Sequence, residues 1–166
     1  MVDVVLGRLI SLWRSIVSSS VLTLNGWVAF NLPRTVTALG GSLLLGLVAL
    51  HAYILTTEPG LPLYFAVYSA LLGVCCLAAA GAMVFATKPR VPQVGWYSGS
   101  LVCLTFIVIY AVSRWVTLPG LEALTGRWDL APGTFAVVFA AGFIAVHTTV
   151  LSGINVAYPQ RQQWYD

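Results

Sequence analysis

Charge is what this 166-residue chain has least of. Asp, Glu, Lys and Arg together make up 8% of it, where a soluble globular domain carries about 25%. With 59% hydrophobic residues and a mean hydropathy of +0.90, that shortage excludes an ordinary water-soluble domain and points to an integral membrane protein. The net charge of +3 is too small to argue for nucleic acid. Cysteine is scarce as well: Cys75, Cys76 and Cys103 all lie in apolar runs, and their spacing suggests no disulfide framework. The five acidic residues are scattered over connections and ends, so paired carboxylates for acid–base work are missing from the apolar runs. No H-E-x-x-H, no lysine-bearing phosphate loop and no G-x-S-x-G turn occurs. The expectation is a chain that is not an enzyme, with no catalytic residue and no resident metal.

What the chain does have is apolar length. Residues 35–57, 59–87, 91–113 and 130–160 form four runs without Asp, Glu, Lys or Arg, each long enough for the roughly 20 residues that cross a bilayer. Glycine and proline punctuate the connections "TEPGLP", "KPRVP" and "RWVTLPGLEALTGRWDLAPG". The short apolar–polar alternation of a membrane β-barrel is absent. An open backbone cannot be left in hydrocarbon, so the spans should be helices. The expected fold class is an all-α integral membrane protein, a four-helix transmembrane bundle over 35–158. It is preceded by an interfacial segment, 1–34, and followed by a short tail, 159–166.

In "MVDVVLGRLISLWRSIV" the apolar Val2, Val5, Leu6, Leu9, Trp13, Ile16 and Val17 recur at steps of three and four, with Asp3, Arg8, Ser11 and Ser15 opposite. That spacing predicts an amphipathic helix lying on the membrane surface. Arg8 and Arg14 interrupt the stretch, so it does not read as a cleaved signal peptide. Residues 15–33 are also uncharged, but "SSS" and "TLNG" favour an interfacial or re-entrant segment over a fifth span. Four spans place Arg8, Arg14, Arg34, Lys88, Arg90 and Arg161 on one side and only Arg114 and Arg127 on the other. The positive-inside rule then puts both termini in the cytoplasm. Short turns and the lack of glycosylation-rich loops suit a bacterial plasma membrane. Trp13, Trp27, Trp96 and Trp164 fall near the inner boundary and Trp115 and Trp128 near the outer one, as an aromatic belt requires.

Two histidines, in "LVALHAYIL" and "GFIAVHTTVLSG", are the ionisable groups inside apolar runs, and such groups are candidates for function. Counted along the runs, His51 lies about 7 to 9 Å from the outer end of its span and His147 near the middle of its own, a height difference of about 8 to 13 Å. One haem held by two imidazoles needs both at nearly one level. The favoured expectation is therefore that His147, with Thr148 and Ser152, makes polar contacts toward a partner helix, and that His51 reaches toward the headgroups. A haem or copper site using His51 or His147 is the alternative. The cysteines and His147 form a weaker metal pattern, because the adjacent Cys75 and Cys76 point about 100° apart.

Small residues are the most abundant positive signal. Ser69, Gly73, Leu77 and Gly81, and Ala136, Ala140, Ala141 and Ala145, recur at spacings that permit close helix approach. Gly73, Gly81, Ala136, Ala140, His147 and Ser152 are the expected packing and interface positions. Their number exceeds what one small bundle needs and implies larger integral membrane subunits, with lipid, as partners. The function expected is a non-catalytic accessory or stabilising subunit of a larger bacterial membrane complex of the oxidoreductase type, respiratory or monooxygenase. The alternative is an electron-transfer subunit carrying haem or copper.

Overall fold

Proline and glycine decide where the helices begin and end. The computed structural model describes residues 33–85, 90–128, 131–155 and 157. Four α-helices follow one another: α1 (Pro33–Thr57), α2 (Leu63–Val84), α3 (Arg90–Trp115) and α4 (Ala131–Leu151), with a 3-10 turn at Glu122–Leu124 before α4. Pro33 opens α1, Pro62 is the N-cap of α2, and Pro92 and Pro132 sit in the first turns of α3 and α4. A proline there removes no helical hydrogen bond, because first-turn N–H groups have no partner within the helix. All four helices are long and apolar enough to cross a membrane. At 1.5 Å per residue they measure roughly 32 to 39 Å, against a hydrocarbon core of about 30 Å. The described residues are thus all-helical, with four candidate spans. The amphipathic helix expected before residue 33, the 15–33 segment and the tail 159–166 lie outside the described residues.

The fourth span is shorter than the uncharged run that encodes it. Lack of charge sets the run at 130–160, yet α4 stops at Leu151. Gly153, at φ 77°, turns the chain into the left-handed region. The Ile154 N–H then bonds back to the Thr149 carbonyl at 3.0 Å and the Gly153 N–H to the Val150 carbonyl at 3.2 Å. This is a Schellman stop, and glycine adopts it without the Cβ penalty. Beyond it, the Asn155 amide donates to Thr149 Oγ1 at 2.8 Å, and Thr37 Oγ1 of α1 donates to the Ala157 carbonyl at 2.8 Å. The chain that leaves α4 is thereby tied to the start of α1.

α1 packs against α2 and α4, and α3 against the same two, so the helices close a ring in up-down-up-down order. The α1–α2 and α3–α4 connections share one end, termed the Arg114 end. The starts of α1 and α3 lie at the other, the His147 end. Between lipid-facing helices there is no hydrophobic drive, and association rests on close van der Waals contact. Glycine makes that contact possible. A Cβ on Gly40 would fall 2.5 Å from Trp96 Cη2 and 2.9 Å from Met83 Cε, and one on Gly95 would fall 2.9 Å from the Ala79 carbonyl oxygen. Trp96, Phe143, Leu44, Leu47, Cys76 and Cys103 are fully enclosed. Trp96 therefore belongs to the core and not to an aromatic belt: glycine at position 40 leaves room for an indole that would otherwise be turned outward. Leu63, Leu71, Leu101, Phe135 and Val138 are exposed around the ring, where lipid tails are the fitting neighbours.

Candidate ligand cavity

The two histidines belong to separate sites. His51 lies six residues before the end of α1, about 9 Å down from the Arg114 end. His147 lies four residues before the end of α4, about 6 Å from the opposite end. The His51 ring meets Phe106 edge-on at 5.4 Å and Tyr68 at 6.2 Å. The His147 ring stacks on Trp96 at 5.5 Å and meets the edge of Tyr97 at 5.0 Å. Trp96 and Phe106 are about 15 Å apart along α3, so no single prosthetic group bridges both imidazoles. His147 is one turn from a helix end and not at mid-span, because α4 stops at Leu151. Among the described residues no three of His, Cys, Asp and Glu converge on one point.

His147 looks into its own bundle. It is buried, and its Nδ1 lies 2.6 Å from Ser100 Oγ of α3, while Nε2 is enclosed with no partner among the described residues. Whichever nitrogen carries the proton, one ring nitrogen goes unmatched, at a typical cost of about 1–3 kcal/mol. The hydroxyls that follow it turn back on their own helix: Thr148 donates to Ile144, Thr149 to Val146 and Ser152 to Thr149. The expected polar row facing outward is thus replaced by one inward contact and a set of local ones. Ala136 and Ala140 are also fully inside the ring, whereas Gly73 and Gly81 are half-buried, and nothing approaches within 4 Å of a Cβ on Gly81. The tightest helix approaches are instead at Gly40, Gly95, Gly99 and Gly133. The four-residue spacing of Gly95 and Gly99 in "GWYSG" was the signal for the α2–α3 and α3–α4 contacts.

At the Arg114 end the helices part and form a half-open cavity of about 630 Å³, within the range of roughly 300–1,000 Å³ that holds one small molecule. Its walls are mainly apolar, with Ile54, Phe65, Phe106 and Ile109 from the helices and Leu118, Leu121 and Leu124 from the α3–α4 connection. That connection lies over the helix ends. Tyr64 donates its hydroxyl to the Pro119 carbonyl at 2.7 Å, and the Gly126 N–H bonds the Arg114 carbonyl at 2.9 Å. The exposed Glu122 carboxylate accepts the Gly120 N–H at 2.8 Å, which holds that carboxyl below its usual range. The leucines of this segment face inward, while Trp115 and Trp128 remain exposed.

The polar groups of the cavity are few and placed at different depths. His51 is buried at its inner end and gives Nδ1–H to the Leu47 carbonyl at 2.9 Å. A carbonyl can only accept, so Nδ1 carries the proton and, in the neutral ring, Nε2 is an acceptor. The Tyr68 hydroxyl is enclosed beside it without a partner among the described residues. At the outer end stands Arg114, in the last turn of α3 and only 4% exposed. Its Nη1 donates to the Leu124 carbonyl at 2.9 Å, its guanidinium carbon lies 4.4 Å over the Tyr110 ring, and its Nε has no partner among the described residues. Gly133 lets α4 approach this pair, since a Cβ there would fall 2.8 Å from the Tyr110 ring and 3.1 Å from Arg114 Nη2.

A guanidinium stays charged in proteins, and enclosing it costs several kcal/mol even after relaxation. The Tyr110 face returns about 2 kcal/mol when desolvated, and the C-terminal dipole of α3 at most about 2 kcal/mol. These contributions hold Arg114 in place and leave its charge incompletely matched, because no carboxylate pairs with it among the described residues. The charge count along the sequence treats Arg114 only as a loop cation marking sidedness. Its single signal was a lone arginine closing an otherwise uncharged run. Comparison with protein-family models, with curated proteins and with solved structures finds no match for this chain.

Proposed function

We propose that this chain is a non-catalytic membrane subunit that holds one lipid-soluble small molecule in the cavity at its Arg114 end while its bundle packs beside larger integral membrane subunits. The observation that carries the proposal is the cavity itself: a half-open, mainly apolar space of about 630 Å³ with a buried arginine at one end and a buried histidine at the other. Apolar walls with a few converging polar groups are the usual form of a small-molecule site. The half-buried glycines of α2, open on the outside at Gly81, are where a partner helix can approach closely. We further propose a bacterial plasma membrane with both termini cytoplasmic, from the distribution of Lys and Arg and the short turns, and a complex of the oxidoreductase type, which rests only on how commonly such assemblies carry small subunits. Haem or copper electron transfer is the weaker proposal, because His51 and His147 serve different sites.

The test is purification from native membranes in a mild detergent, followed by native mass spectrometry. The expected result is a larger integral subunit together with one retained amphiphile per chain. Ile54→Trp, which fills the cavity wall, should lose the amphiphile and keep the subunit. A colourless homo-oligomer that retains nothing, in wild type and variant alike, would contradict the proposal.

A further inference from the structure

The cavity has polar groups at both ends, but the buried charge, Arg114, stands at the outer one, opposite His51 and Tyr68. Arg114 lies in the last turn of α3, whereas Phe106, eight residues earlier on the same helix, lies about 12 Å further along the helix into the bundle. Between them the wall is formed by Ile109, Ile54 and Phe65. A molecule matching this wall has its charged group at Arg114 and an apolar chain running along Ile109, Ile54 and Phe65 toward His51 and Tyr68. The polar group is also constrained in sign. Arg114 is more than nine-tenths buried, lines the cavity, and has no carboxylate partner among the described residues. A neutral carbonyl head could engage His51 but would leave that charge without an anion.

Resting on the proposed ligand-holding role, we infer that the ligand is a single-chain amphiphile with an anionic head, a carboxylate or a phosphate, bound through Arg114. One chain follows from volume, since about 630 Å³ takes one small molecule and not a two-chain lipid. The anion follows from Arg114, whose planar fork suits carboxylate and phosphate oxygens alike. Glu58 also lines the cavity and is exposed. It opposes an acidic head, so its removal should favour binding.

Equilibrium binding to the purified full chain, in a neutral sugar-based detergent, tests this with four probes: palmitate, its methyl ester, a lysophosphatidic acid and an alkyl benzoquinone of similar length. Palmitate or the lysophosphatidic acid should bind at least about tenfold more tightly than the ester and the quinone, the size expected for a charge-assisted hydrogen bond. Which of the two acids binds more tightly distinguishes a carboxylate ligand from a phosphate one. Arg114→Gln should remove that preference without changing ester binding, Arg114→Lys should keep part of it, and Glu58→Gln should strengthen it. If Arg114→Gln does not fold, the acid-to-ester ratio on wild type decides. Equal binding of acid and ester, or tightest binding of the quinone, would overturn the anionic head and leave the cavity role standing. Binding of none of the four above the level seen with Ile54→Trp would overturn both.

Discussion

Gly95→Ala isolates the contact that brings α2 and α3 together. The added Cβ would lie 2.9 Å from the Ala79 carbonyl oxygen, 3.0 Å from the Met83 backbone nitrogen and 2.8 Å from Met83 Cγ. Two of these atoms are backbone and cannot rotate away, so the helices must move apart. Overpacking of this kind costs about 1–3 kcal/mol, and immobile neighbours place it near the upper end. Alanine in a helix returns about 1 kcal/mol relative to glycine. The net expectation is a loss of about 1–2 kcal/mol. Gly81→Ala is the matched control, because nothing lies within 4 Å of its Cβ. That variant should be neutral or stabilised by up to about 1 kcal/mol. Reversible unfolding in mixed micelles, followed by tryptophan fluorescence, measures both, since Trp96 sits beside the Gly95 contact. Equal effects at the two glycines, or a stable Gly95→Ala, would refute the packing argument.

Ser100→Ala should destabilise the bundle by about 0.6 kcal/mol, the mean for a side-chain hydrogen bond between membrane helices. His147→Gln should be milder than His147→Leu in the same unfolding assay, because only glutamine can still pair with Ser100. Stoichiometric haem or metal in wild type, lost from both His147 variants, would show that the imidazole is a ligand instead. Reporter fusions at Asp166 and at Gly126 should show opposite sidedness, with Asp166 cytoplasmic. An outward Asp166 with an inward start would mean that residues 15–33 cross the membrane.

The helices were readable from the sequence because uncharged length and proline placement are local properties. Four runs without charge became four helices, and the prolines at 33, 62, 92 and 132 stand at their beginnings. The end of α4 was also written locally, in Gly153, but counting charge alone passes over a glycine stop and carries the span to residue 160. Facing was harder to read. In lipid both the inside and the outside of a bundle are apolar, so hydrophobic periodicity carries little information on which side of a helix turns inward. Trp96, His51 and His147 were assigned outward or interfacial roles for that reason, although Gly40, Phe106 and Ser100 give each an inward place. The cavity was least readable. It joins α1, α2, α3, α4 and the segment before α4, and its arginine resembles any loop cation until the chain folds back to enclose it.

The most direct measurement is photolabelling in intact membranes with a single-chain acid that carries a diazirine along its chain. Peptide mapping should place the label on residues lining the Arg114-end cavity, such as Ile54, Phe65, Phe106 and Ile109, with labelling competed by unmodified acid and abolished by Ile54→Trp. Label spread over the lipid-facing Leu71, Leu101 and Val138, insensitive to competitor and to the cavity-filling substitution, would contradict a ligand-holding bundle.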